Sequence, residues 1–539
     1  MAAVYPTQDK TPTSPEQPTA THLRAVESRN PATGEVWKRY SSPSREEVFA
    51  AVRRARVAQR DWSAQPLALR VQALRRFHKS LYRRRIEVAD VLTSENGKPA
   101  AEALANEVAI ALDFARFYAD RAPRFLRATW TGAAPLAMKR KRVRVVKGPY
   151  GVIGVISPWN YPWMLSAAIV LPALVTGNAV VLKPSEFTPT SGALLAELLH
   201  AAGIPEAACQ VLQGDGDTGA ALCDAAVDKI FFTGSDSSGR KVAMKCAERL
   251  IPCSLELGGS DAAIVLADAD VRHAAHGIAW GRFSNAGQTC VAPKRVYVEA
   301  AAYEAFVAAL AETIKTLRLG PGESVDTDVG PMISAEAVAV LAAQRDDALA
   351  RGATMVASAL PNGLDTARFF PPTMLLNVPP DARVLREETF GPLLPVLKVR
   401  DPDEAVALAN ASEYGLAASI WSADTARAAL LAGRIEAGSV SINDVIVTAG
   451  MADVPHGGVK RSGMGRTHGM AGLEECVRTK AIVADRFPSW RQAWWFGYGV
   501  RHAAGINAFV RLAHGVRPLE RMRAIPPFLK LLFSPGRPR

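Results

Sequence analysis

Three small-residue, glycine-containing runs of this 539-residue chain are the ones best placed to do chemistry. Ser284-Asn285-Ala286-Gly287-Gln288-Thr289-Cys290 ends a short polar turn on a thiol. A thiolate attacks a carbonyl carbon readily once its pKa is lowered, although a lone cysteine is more often an inert, buried small residue. Leu255-Glu256-Leu257-Gly258-Gly259 puts one carboxylate in apolar surroundings, where it is either a base of raised pKa or an ion-paired core acid. Phe232-Thr233-Gly234-Ser235 leaves an apolar run and enters a helical one, with Gly239 a turn later. Free amides at a helix N-terminus suit a phosphate, and glycine permits close approach. The spacing is not GxGxxG, so a plain strand-to-helix turn accounts for it equally well. Lys183 and Glu186 follow another apolar run and either bond a ribose diol or stand as solvated loop charges.

The elements that must hold these residues follow from hydrophobic period. Short Val/Ile-rich runs (152–156, 179–182, 229–232, 262–265) alternate with helical segments, the βαβ pattern of a parallel, doubly wound sheet. Ser44 with Glu47 three residues on predicts a capping box and a helix through Arg60, followed by helical stretches over 67–92 and 101–118. Asn30-Pro31-Ala32-Thr33-Gly34 reads as a turn between short strands. From 139 to 146 basic and apolar residues alternate, the period of a half-exposed strand; a nucleic-acid patch is the competing reading. Gly148–Leu182 carries no charge and is long enough to span a bilayer. Pro158, Asn160, Pro162, Pro172 and Asn178 interrupt it, so buried strand, loop and core helix is the expected reading.

Composition sets the bounds. Apolar residues make up 49% and charged residues 22%, the balance of a globular protein of two or three packed units. The six cysteines form no CxxC pair and show no metal-ligand spacing, so free thiols, no metal site and a cytoplasmic location are expected. The net charge of +12 is uneven: from Arg486 onward ten basic residues face one acid, so the last segment carries +9. A general nucleic-acid footprint is therefore not expected.

Together the motifs resemble the aldehyde dehydrogenase superfamily from about Val26 to Asp485. The matching segments are Pro158-Trp159-Asn160-Tyr161-Pro162, Lys183-Pro184-Ser185-Glu186, Phe232-Thr233-Gly234-Ser235, Glu256-Leu257-Gly258-Gly259, Gly287-Gln288-Thr289-Cys290, Glu387-Glu388-Thr389-Phe390-Gly391-Pro392 and Gly457-Gly458-Val459-Lys460-Arg461-Ser462-Gly463. The resemblance implies an α/β fold: a Rossmann-like NAD-binding domain (26–133 and 150–258), an α/β catalytic domain (259–465) and a small β oligomerisation element (134–149 and 466–485). A disordered N-terminus (1–25) and a basic aromatic tail (486–539) flank them.

By the same resemblance Cys290 is the nucleophile, Asn160 and the Cys290 amide hold the oxyanion, and Glu256 is the base that hydrolyses a thioester. Cofactor contacts fall to Ile156, Trp159, Lys183, Glu186, Gly234, Ser235, Glu388 and Phe390. Glu186 argues for NAD, because a carboxylate accepts bonds from a free 2′-hydroxyl and repels a 2′-phosphate; Lys183 nearby leaves NADP use open. Trp163, Met164, Leu165, Ala168, Ser284, Thr289 and Val291 are expected to line the substrate tunnel. His456 stands where many members have Phe and reads as a pocket residue. Relatives acting on succinic semialdehyde usually have Arg where Ala168 stands, so an apolar aliphatic or aromatic aldehyde is expected, with a semialdehyde and a coenzyme A-acylating reaction as alternatives. A homodimer or homotetramer is expected. Trp490, Trp494, Trp495, Phe496 and Tyr498, followed by basic residues, suit peripheral contact with the inner membrane face, against a tail folded over a neighbouring subunit.

Overall fold

The computed structural model describes residues 25–132, 138, 141–486, 492, 495, 496 and 498–533. The N-terminal segment expected to be disordered lies outside the described residues up to position 24, as do Trp490 and Trp494; Ala25 already sits in a strand. Strands Ala25–Arg29 and Val36–Ser41 pair across the predicted turn, closed by a bond from the Gly34 amide to the Asn30 carbonyl. Ser44 and Glu47 form the capping box, and the helix it opens runs over Arg45–Ala64. The predicted 101–118 helix is a longer rod, Ala100–Ala103 and Ile110–Phe125 joined by a π-helical turn over Leu104–Ala109.

Two sheets organise the body. The first has six strands in the order Gly463–Met464, Cys253–Glu256, Lys229–Thr233, Val152–Ile156, Ala179–Lys183, Cys209–Val211. All pair in parallel except Gly463–Met464, which runs antiparallel beside Glu256. The second has seven strands, with Asp261–Val265 between Pro293–Glu299 and Ala417–Trp421. Both central strands, Val152–Ile156 and Asp261–Val265, are buried along their whole length, as parallel strands covered on two faces must be. A third, antiparallel sheet joins Thr129–Gly132, Lys141–Pro149 and Val477–Asp485. Two boundaries differ from the sequence reading. Thr129–Gly132 leaves the first unit for this third sheet, and Gly463–Met464 leaves the second unit for the first sheet.

The charge-free stretch folds as a buried strand, a helix over Pro162–Val175 that is buried on every side, and a second buried strand. Among the described residues no helix is long and apolar enough to cross a membrane. The tail forms two helices, Val500–His514 and Pro518–Phe533, packed on one another through Gly505, Ala508, Ala524 and Phe528.

Candidate active site

The nucleophile candidate stands at the end of a strained turn. Asn285, Ala286 and Gly287 adopt φ of +50°, +53° and +73° in succession, a left-handed run that only glycine takes without cost. The surroundings hold it in place. The Asn285 amide donates to Glu102 Oε2 (2.7 Å), its side chain donates to the Asn160 carbonyl (3.0 Å), and Gln288 Oε1 accepts from the Ile333 amide (2.9 Å). A Cβ on Gly287 would run into the Gly391 backbone, so both φ and space require glycine there.

Cys290 emerges from this turn half-buried, on the wall of a cavity of ≈ 280 Å³. Burial pushes its thiol up to about 12; Glu256, Asp261 and Glu388 add to the rise, and Lys294 opposes it. Lys294 Nζ donates to the carbonyls of Cys290 (2.5 Å) and Thr289 (3.1 Å), and stands 3.9 Å from Glu388 Oε1. The resting group is thus a thiol, and attack requires that its proton be removed.

Glu256 ends the Cys253–Glu256 strand, buried, and accepts a hydrogen bond from the Thr467 hydroxyl. Asn160 is buried beside the thiol turn; its Nδ2 donates to the Gln288 carbonyl (3.1 Å). Its backbone is anchored by the buried Lys98, whose Nζ donates to the Asn160 carbonyl (2.8 Å) and pairs with Glu107 Oε1 (2.5 Å). Glu107 Oε2 in turn accepts from the Trp163 and Met164 amides, satisfying free N–H groups at the start of the Pro162–Val175 helix.

A second group of residues lies at the carboxyl ends of the first sheet, where an open α/β sheet takes its ligand. Ile156 and Lys183 end neighbouring strands, and Lys183 Nζ bonds Glu186 Oε2 (3.0 Å). Gly234 and Ser235 lead into the helix Asp236–Glu248, with Ser235 Oγ accepting from the Ser238 amide (3.3 Å). Just before them Thr233 Oγ1 is buried with no partner among the described residues. Asp236, in the first turn, would repel a phosphate. Burial alone would raise its pKa, but Arg461 and Arg240 outweigh burial and hold the carboxyl below its usual range. Glu388 Oε1 accepts from the Gly259 amide (2.9 Å), and a Cβ on Gly258 would strike that carboxylate. Burial raises the Glu388 carboxyl. The rings of Trp159 and Phe390 meet edge to face at 5.5 Å. A helix N-terminus, an orphaned hydroxyl, a ribose-type Lys/Glu pair and a glycine cradle fit a nicotinamide dinucleotide.

The cavity itself is lined by Tyr161, Met164, Leu165, Thr289, Val291 and His456, and by a wall from Asp444 to Met451. Trp163, Ala168 and Ser284, expected to line it, do not. The Pro162–Val175 helix turns Met164 and Leu165 to the cavity, so Trp163 points into the core, and Ala168 lies one turn further on, with its carbonyl accepting from Tyr118 Oη (3.4 Å). Ser284 is buried at the start of the thiol turn. Ala168 in place of Arg therefore says nothing about the charge of the substrate. The ionisable side chains of the lining are instead Cys290, Tyr161, Asp444, exposed at the mouth, and His456. Burial holds the His456 imidazole below its ordinary value, Glu256 opposing. It stacks on His468 at 5.0 Å.

Sequence reasoning missed Lys294, Thr467, Lys98, Glu107 and the 444–451 wall. Glu107 and Lys294 interrupt otherwise apolar runs, which was a usable signal for each residue alone; Lys98 and Thr467 stand in polar, glycine-containing runs and, like the wall, carry none. Among the described residues no group of three or more His, Cys, Asp or Glu stands ready for a metal.

The profile of the aldehyde dehydrogenase family matches residues 19–482. A 4,4′-diapolycopene aldehyde oxidase of Methylomonas is 39% identical over 84% of this chain and 84% of that one. A succinate-semialdehyde dehydrogenase [NADP(+)] of Deinococcus radiodurans is 38% identical over 88% of this chain and 98% of its own. The NAD+ complex of an aldehyde dehydrogenase from Bacillus cereus superposes with a TM-score of 0.82 at 32% identity, covering 86% and 94% of the two chains.

Proposed function

Because the chain belongs to the aldehyde dehydrogenase family, we propose that it oxidises an apolar aliphatic or aromatic aldehyde to the carboxylic acid, with NAD preferred over NADP. The cavity carries the substrate half of this reading. Beside the thiol it offers methionine, leucine and valine, no lysine or arginine, a histidine held neutral and an aspartate at the mouth. A semialdehyde's distal carboxylate would find no cation on these walls and would meet a like charge on the way in. The competing reading, a succinate- or glutarate-semialdehyde dehydrogenase, is favoured by the names of relatives at 37–38% identity.

In the proposed reaction the Cys290 thiol gives up its proton to solvent as Sγ attacks the aldehyde carbon, while the Cys290 amide and Asn160 Nδ2 hold the developing oxyanion; losing one such donor costs ~10²–10³ in rate. Asn160 Nδ2 exchanges its bond to Gln288 for this one. When bound, the nicotinamide supplies the hydride acceptor, which leaves a thioester on Cys290. Glu256, set by Thr467, takes a proton from water, and the hydroxide released from it hydrolyses the thioester. A coenzyme A-acylating reaction would have no use for this carboxylate.

A panel of alkanals, benzaldehyde and succinic semialdehyde read by NADH absorbance tests the substrate half. The expected kcat/KM is at least about tenfold higher for the apolar aldehydes, a difference of ~1.4 kcal/mol; preference for the semialdehyde would sink the reading. For the cofactor half, Glu186→Ser is expected to raise the NADP-to-NAD ratio of kcat/KM by about tenfold, through removal of the charge facing a 2′-phosphate. An unchanged ratio would remove Glu186 from the ribose site.

The chain is proposed to work in the cytoplasm as a homodimer or homotetramer, with the three-stranded sheet as the subunit contact. Exposed Trp130, Ile482 and Val483 on that sheet support this role.

A further inference from the structure

The tail hairpin presents an apolar stripe that nothing among the described residues covers. On the Pro518–Phe533 helix the inner face (Ala524, Phe528) is buried against the Val500–His514 helix, and the ring of Phe528 lies 5.5 Å from that of Phe509. Leu519, Met522, Ile525 and Leu529 follow the helical period down the opposite side, 58%, 65%, 41% and 44% exposed. At 100° per residue Arg521 falls on one edge of this stripe, and Arg523 and Lys530 fall on the other. Where the hairpin begins, Phe496 and Tyr498 are exposed as well, ring to ring at 5.8 Å.

We propose that this hairpin is a docking surface for an anionic lipid bilayer, lying in the interface with its Leu519–Leu529 stripe inserted and its flanking cations on the headgroups. An apolar helix face edged by basic residues is the pattern of an interfacial helix, and each cation near an anionic surface adds attraction. Charge also decides between occupants. The segment from Arg486 carries +9, so a second copy's tail would repel it, whereas an acidic lipid surface complements it. The surface lies outside the catalytic machinery and stands whichever aldehyde the enzyme takes.

The test is co-sedimentation of the full chain with vesicles of phosphatidylcholine alone or with 30% phosphatidylglycerol, at low and at 0.5 M salt. The partition coefficient is expected to be at least about tenfold higher on the anionic vesicles at low salt, and to fall about tenfold or more at high salt. Leu519→Ser/Met522→Ser/Leu529→Ser is expected to lower binding to the anionic vesicles by at least about tenfold while leaving turnover of a short soluble aldehyde unchanged. Arg523→Glu/Lys530→Glu, which spares the packed face and the Arg521 bond to the Gly515 carbonyl, is expected to do the same and covers the case in which the serine variant misfolds. Equal sedimentation with and without anionic vesicles would overturn the proposal. So would a loss of oligomer mass in either variant by size-exclusion chromatography with no change in lipid binding.

Discussion

Cys290→Ala is expected to abolish aldehyde-dependent NADH formation, with a fall of at least about 10⁴-fold, while cofactor binding and thermal midpoint stay near those of the parent. The size follows from the role: without the thiol no covalent intermediate forms, and the remaining groups act on nothing. The control half follows from the structure. Cys290 is half-buried on a cavity wall, so removing its sulfur opens no void in a packed core. The strained turn is held by Glu102, Asn160, Gln288 and Ile333, not by the sulfur. Fluorescence titration with NADH and a steady-state assay decide the matter together. Substantial turnover with an intact fold would remove Cys290 from the mechanism.

Glu256→Gln is expected to slow steady-state turnover by about 10²–10⁴-fold, the range for a general base, while leaving the first half-reaction much less affected. The glutamine carbonyl can still accept the Thr467 hydroxyl, so the substitution changes the proton chemistry and little else. The expected trace is a burst of NADH close to one per active site, followed by slow release, and the intact-mass spectrum should show the acyl group on the protein. A variant that turns over at the parent rate without an adduct would mean that water is activated by another group.

What could be read from the sequence divides by distance along the chain. The Ser44–Glu47 capping box is local and was legible, as were the strand runs of the first sheet, whose apolar residues have no other use. Cys290, Glu256 and Asn160 each sit in a short motif, and the structure brings them near one another: Asn160 bonds the Gln288 carbonyl, and the charge of Glu256 bears on the Cys290 thiol. Met164 and Trp163 are neighbours in sequence, yet only Met164 reaches the cavity. A helix buried on every side has no amphipathic pattern to say which residue faces what. The tail was read as aromatic and basic but not as a helical hairpin, because Pro526-Pro527 signals a break where the structure continues one helix. The Lys98–Glu107 pair and the 444–451 wall needed the three-dimensional fold.

The antiparallel strand Gly463–Met464 alongside Glu256 ties catalytic competence to the order in which the polypeptide closes. Glu256, the proposed base, receives its hydroxyl partner from a residue 211 positions downstream. Everything between them, including the whole seven-stranded sheet, must be spanned before that contact forms, and contacts across so long a separation are formed slowly. On refolding, secondary structure therefore returns ahead of turnover. During synthesis Cys290 and Asn160 leave the ribosome while Glu256 still lacks its strand neighbour. On the proposed mechanism, the part assembled last is the one that puts water to use.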